Sequence, residues 1–181
     1  MTQNVLIGST VEYERRTRDR VYSDDEIKAI WKAADRLDKV EGAYVKLLLL
    51  LAPRKNALAA MRRSHLDNPD NPTLWTTPFE LTKSKKYLRD PKNRRVFITP
   101  QPALAQRLLK GLPKGTGDDP YVFTGLKIVQ SRAGQAIYNT SHLVDRLSKH
   151  GAPKHFYPHA VRHTLTTSTT AGSCSITRRQ L

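Results

Sequence analysis

The chain has 181 residues, with 31 Lys or Arg against 16 Asp or Glu and a net charge of +15. That length suits one domain with a sizeable core. The single cysteine, Cys174, has no internal partner, which excludes a disulfide scaffold and leads us to expect a reducing, intracellular compartment. The most apolar run, AYVKLLLLLA, is about half the ~20 residues of a membrane-spanning helix, and the polar start MTQNVLIGSTVEYERR lacks a signal-peptide layout, so a cytoplasmic protein without a membrane partner is expected.

The positive excess is regional. Residues 53–114 carry fourteen Lys or Arg against four Asp or Glu, whereas residues 23–52 carry five against six. Such a one-sided distribution fits a face that grips a phosphate backbone better than a generically solvated surface.

Residues 1–20 have mixed charge and no apolar periodicity, and are expected to be a flexible lead-in. SDDEIKAIWKAADRL opens a helix: Ser23 can cap, Glu26 can close a capping box, and Ile27, Ile30, Trp31, Ala34 and Leu37 fall on one face. GAYVKLLLLLA is apolar nearly all round, as a helix buried in the middle of a domain is, and Pro53 interrupts it just before Arg54. RKNALAAM resumes as a short helix. NPDNP is turn chemistry, and TLWTTPFEL and RRVFITP are predicted strands of a hairpin with the basic tip TKSKKYLRDPKN. PALAQRLLKGLP returns to helix, stopped by Gly111 and Pro113.

Beyond the loop KGTGDDP, YVF is expected to be a short buried strand. SHLVDRLSKHG is an amphipathic helix with Ser141 as cap and Gly151 as stop, and Pro158 opens a last helix carrying His159 and Arg162. TTSTTAGSCSITRRQL offers too little apolar surface for a helical stripe, so residues 168–181 are expected to be a disordered tail. Trp31, Trp75, Phe79, Phe97 and Phe123 are assigned to the core. The sum is an α+β domain, mainly helical, with a small antiparallel sheet on one side.

Four basic side chains stand out: Arg54 after the buried run, Lys83 at the start of the hairpin tip, and His159 and Arg162 one turn apart. Phosphoryl transfer needs such a set. Charge gathers on the non-bridging oxygens, for which the planar, always charged guanidinium is suited, and the leaving oxygen needs a proton from a lysine or histidine. A helix start before His159 adds backbone N–H groups and the positive end of the helix dipole. His155, His159 and His163 share a metal-like spacing, but Pro158 breaks the face that would align them, so no metal is expected, nor any small-molecule cofactor.

Arg54 behind an apolar helix, TKS at the first turn of a basic hairpin, and HAVRHT on a later helix together resemble the catalytic domain of the tyrosine recombinase (phage integrase) family. The likeness runs from about Tyr22 to about Thr167, within a domain spanning 21–167. It implies that Arg54 and Arg162 clamp a scissile phosphate, that His159 hydrogen-bonds it, and that Lys83 protonates the departing 5′-oxygen, with Lys85 and Lys86 as alternatives. Lys85, Lys86, Arg89, Lys92, Arg94 and Arg95 would then contact DNA, and the implied partners are double-stranded DNA and other recombinase subunits, in a nucleoid-associated protein.

The sequence also departs from the family. All seven tyrosines lie at or before Tyr157, nineteen residues follow Arg162, and neither the family's second His or Trp nor its nucleophilic tyrosine is among them. Ala57 stands where an acidic residue is expected after the first arginine. The expectation is therefore an incomplete catalytic domain of a DNA integration or excision system that binds DNA but does not cleave it unaided. The alternatives are a non-enzymatic DNA-binding protein that occupies or blocks a recombination site, and an inactive remnant.

Overall fold

The structure, a computed structural model, describes residues 20–82, 96–116, 120–130, 136–154 and 156–170, with backbone alone for 130, 136, 137 and 166–170. The first helix, α1 (Asp24–Ala34), begins with the expected capping box. Ser23 Oγ accepts from the Glu26 N–H at 3.2 Å and the Glu26 carboxylate accepts from the Ser23 N–H at 3.0 Å. Ile27, Ile30, Ala33 and Ala34 form its buried face, while Trp31 is half-buried. Asp38 then caps α2 (Lys39–Leu51) by accepting from the Val40 and Glu41 amides at 3.1 and 3.0 Å.

Helix α2 runs through the middle of the domain and packs on α1, on α3 (Lys55–Ala59), on α4 (Ala103–Lys110) and on α6 (Pro158–Thr170). Its continuous apolar sequence is what such a position requires. Leu47 and Leu48 are fully buried, each contributing about 1.5–3 kcal/mol of transfer free energy. Gly42 allows the close crossing of α1, since a Cβ there would lie 2.5 Å from the Ala34 carbonyl oxygen. Tyr44, also fully buried, sets its ring edge-on to Phe123 and Tyr138 and donates its hydroxyl to the Lys55 carbonyl at 2.9 Å. That bond ties α2 to the start of α3.

Two antiparallel hairpins supply the strands. In the first, β1 (Leu74–Thr77) pairs with β2 (Phe97–Pro100), Trp75 opposite Thr99 and Thr77 opposite Phe97. The strand expected over TLWTTPFEL stops at Thr77, because Pro78 cannot donate to a ladder, and Phe79–Leu81 coil into a 3-10 turn. Phe97, assigned to the core from sequence, is 52% exposed, and Ile98 is 61% exposed. Adjacent side chains of a strand point to opposite faces of the sheet, so with both Phe97 and Ile98 exposed neither face of β2 is covered at these positions among the described residues. The second hairpin, β3 (Ile128–Gln130) with β4 (Ala136–Tyr138), was not expected from sequence.

Three further expectations need correction. YVF is buried at Val122 and Phe123 but is not a strand: Tyr121 makes an isolated bridge to Arg62, and the Val122 N–H donates to the Met61 carbonyl at 2.8 Å. Ser141 is the first helical residue of α5 (Ser141–Lys149) rather than its cap, and its N–H and hydroxyl donate to Asn139 Oδ1 at 3.0 and 2.8 Å. Gly151, at φ 95°, ends that helix in the left-handed conformation that favours glycine. Helix α6 begins at Pro158 as expected but continues to Thr170, into the stretch read as a tail, since extending an established helix costs little per residue. Residues 171–181, and residues 1–19 of the expected lead-in 1–20, lie outside the described residues.

Candidate functional site

The turn joining α2 to α3 builds one wall of a cleft. Ala52, at φ 48°, is the one non-glycine residue at positive φ among those described, and it swings the chain out of the buried helix. Pro53 follows, then Arg54 in the N-cap position of α3, exposed and without a side-chain capping bond. Opposite stands the first turn of α6. The cleft between them, of about 510 Å³, is lined by Arg54, Lys55, Asn56 and Ala57, by Glu80, Leu81 and Thr82 after β1, and by Pro158, His159 and Arg162.

Three of the four singled-out residues therefore meet. His159 is exposed, Arg162 is half-buried, and the positive end of the α6 dipole faces the same space. Arg162 Nη1 donates to the Ala52 carbonyl at 3.0 Å, which fills an acceptor left over at the end of α2 and fixes the guanidinium beside the turn that presents Arg54. Burial, and secondarily the Arg162 charge, holds the Arg54 pKa below the usual arginine value. Two cations that feel each other's charge lower their mutual repulsion by sharing an anion. An arginine fork has five N–H donors, so Arg162 can bind Ala52 and still offer donors to an oxyanion.

The fourth residue, Lys83, and the hairpin residues Lys85, Lys86, Arg89, Lys92, Arg94 and Arg95 lie outside the described residues. The described chain reaches the cleft at Thr82, next in sequence to Lys83. Thr82 is buried, and its hydroxyl and N–H both donate to the Phe79 carbonyl, at 2.7 and 2.9 Å.

Sequence reasoning missed Lys55, Asn56 and Glu80. Asn56 Oδ1 accepts from the Tyr138 N–H at 3.2 Å and Lys55 Nζ donates to the Tyr138 carbonyl at 3.5 Å, so the end of β4 braces the helix that follows Arg54. Ala57, where the resemblance calls for an acid, is buried in α3 and lines the cleft, and the carboxylate lining it comes from Glu80 instead. The signal for Glu80 was Pro78, which ends β1 and turns the next residues toward the site.

No family model matches this chain, and no curated protein matches it. Its fold is similar to that in a crystal structure of XerA recombinase, with a TM-score of 0.55 and 22% sequence identity over 89% of this chain and 53% of that one. This chain thus spans about half the length of the chain it matches. The likeness shows a shared fold, the mainly helical α+β architecture with small antiparallel strands.

Proposed function

We propose that this chain is a catalytic-type domain of the tyrosine recombinase class, which binds duplex DNA through its backbone phosphates and serves site-specific integration or excision of mobile DNA. The observation that carries this reading is the meeting of Arg54, His159 and Arg162 at one cleft with the N-terminus of α6. The fold shared with XerA recombinase supports it. Arg54 and Arg162 hold the non-bridging oxygens of one phosphodiester, His159 adds a third donor, and Lys83, with Lys85 and Lys86 as alternatives, delivers the proton that the departing 5′-oxygen takes up. Arg89, Lys92, Arg94 and Arg95 grip the flanking backbone.

Strand cleavage in this class joins a tyrosine oxygen to phosphorus, forming a 3′-phosphotyrosine while the bond to the 5′-oxygen breaks. Within these 181 residues every tyrosine lies at or before Tyr157, so the attacking oxygen would come from outside them, from a continuation of the chain or from another subunit.

Duplex binding measured against salt tests the reading. Log affinity should fall linearly with log salt, by about 0.9 per phosphate neutralised, and an Arg54→Ala/Arg162→Ala variant should bind more weakly with a shallower slope. Unchanged affinity in that variant would remove the site. A suicide substrate that traps phosphotyrosine should give no adduct with these residues alone, and a covalent adduct would overturn the need for an outside nucleophile. Binding without an adduct even beside a tyrosine-bearing subunit is the outcome that fits a non-catalytic occupant of the DNA site.

A further inference from the structure

The helix that carries His159 and Arg162 packs on α2 and is also tied from behind by Tyr22. Tyr22, two positions before α1, is 3% exposed and bonds the α6 region at two points. Its hydroxyl accepts from the Tyr157 N–H at 2.7 Å, and its own N–H donates to Thr164 Oγ1 at 3.0 Å. Thr164 is 2% exposed and donates its hydroxyl back to the Ala160 carbonyl at 2.9 Å, so this contact sits on the buried face of the helix. The Tyr22 ring packs against Phe156, with centroids 6.3 Å apart.

The two anchors bracket the functional residues. At about 100° and ~1.5 Å per residue, Tyr157 and Thr164 fall on one side of the helix axis roughly 10 Å apart, with His159 and Arg162 between them on the opposite side. Added to the packing of α6 on α2, two hydrogen-bonded attachments on its back restrain both its rotation and its axial position.

We propose that Tyr22 is a positioning residue for the phosphate cleft, setting where His159 and Arg162 stand opposite Arg54. It touches no ligand and acts through α6. Its functional consequence rests on the phosphate reading above, whereas the clamp itself can be measured without DNA. Burial pushes the Tyr22 phenol up, so the hydroxyl stays protonated at neutral pH and its state does not vary with ordinary buffer changes.

Tyr22→Phe removes the acceptor while keeping the ring against Phe156. The Tyr157 amide should then exchange with solvent at least about tenfold faster while the amides of α2 keep their protection. Duplex affinity should fall about three- to tenfold with a shallower salt slope, the size expected when an oriented charge-assisted contact is loosened. In an Arg162→Ala background the same change should cost less than in the parent, because only His159 is then left for the helix to position. Thr164→Val should behave like Tyr22→Phe, and Thr164→Ser, which keeps the hydroxyl, should bind as the parent does. Wild-type binding by Tyr22→Phe, full additivity with Arg162→Ala, or an unchanged Tyr157 amide would each overturn the proposal. Failure of the parent chain to bind DNA would remove the phosphate reading and the positioning role with it, leaving the amide result to decide the clamp alone.

Discussion

Replacing Arg54 with alanine separates what the site does for a ligand from what it does for the fold. The side chain is exposed, caps α3 without a hydrogen bond, and lies where burial and the Arg162 charge disfavour its protonated form. The free protein therefore gains nothing from this charge, and its stability should change by no more than about 0.5 kcal/mol, with the melting temperature level or slightly higher. Bound phosphate reverses the balance. A hydrogen bond to a charged group contributes about 1.5–3 kcal/mol, which at about 1.4 kcal/mol per factor of ten predicts duplex binding weaker by about 10- to 150-fold. One lost phosphate contact should also flatten the log–log salt slope by about 0.9. Anisotropy of a labelled duplex between about 50 and 200 mM salt, the range over which such contacts are most salt-sensitive, together with a thermal melt of the free protein, gives all three quantities. Affinity within about twofold of the parent would mean that Arg54 holds no ligand, and a melting temperature lower by about 5 °C would mean that it serves the fold; either would refute the reasoning.

Ala52→Gly should raise stability by about 1 kcal/mol in thermal melts, since φ 48° is unfavourable for alanine and open to glycine, and it should leave DNA binding intact because the carbonyl that holds Arg162 remains. Asp67 accepts from the Thr73 hydroxyl and from the Thr73 and Leu74 amides, both at 2.9 Å, and these bonds pull its pKa down to about 2. A depressed carboxylate pKa contributes stability that is present above the unfolded value of about 3.9 and lost as pH falls toward the folded value, so Asp67→Asn should show a flatter stability profile than the parent between about pH 4 and 2 in acid titrations followed by circular dichroism. Ser23→Ala should cost about 1 kcal/mol in urea unfolding by removing one half of the α1 capping box, and a cost near zero would mean that the Glu26 half suffices.

The parts of the fold that were legible in the sequence are those specified within one or two helical turns. The Ser23–Glu26 pair announces the start of α1, the uninterrupted apolar run announces a buried α2, and Pro158 announces α6, because capping and period are local properties. Features that depend on a distant partner were misread. Three-residue strands such as β3 and β4 are too short for alternation to be seen, and Phe97 is apolar whether or not anything covers it. Ser141 and Asn139 both suit a helix entrance, and only the folded backbone decides which one receives the bonds. The same division runs through the site. The order of Arg54, His159 and Arg162 is visible along the chain, but their meeting depends on a left-handed alanine that no propensity would put at residue 52, and Glu80 looked like one more residue of a strand.

The supports of the two arginines meet at that alanine. Chain reversal at Ala52 performs two tasks with one backbone turn: it carries Arg54 out of the buried helix into the cleft, and it aims the Ala52 carbonyl at Arg162. The point from which the Arg54 side chain leaves and the anchor of the Arg162 guanidinium are thus both set by main chain, with Tyr44 holding the Lys55 carbonyl on one side of the turn and the α2 core on the other. Arg162 is held at the turn by its bond to the Ala52 carbonyl, while the Arg54 side chain, exposed and without a capping bond, starts from the same turn. Under the proposed phosphate reading, an anion bridging the two guanidinium groups would offset their repulsion, and loss of either arginine should remove most of the joint effect. On the same reading, Arg162→Lys should bind duplex more weakly than the parent, since a lysine could satisfy the Ala52 carbonyl or a phosphate but has no rigid fork with which to do both in fixed geometry.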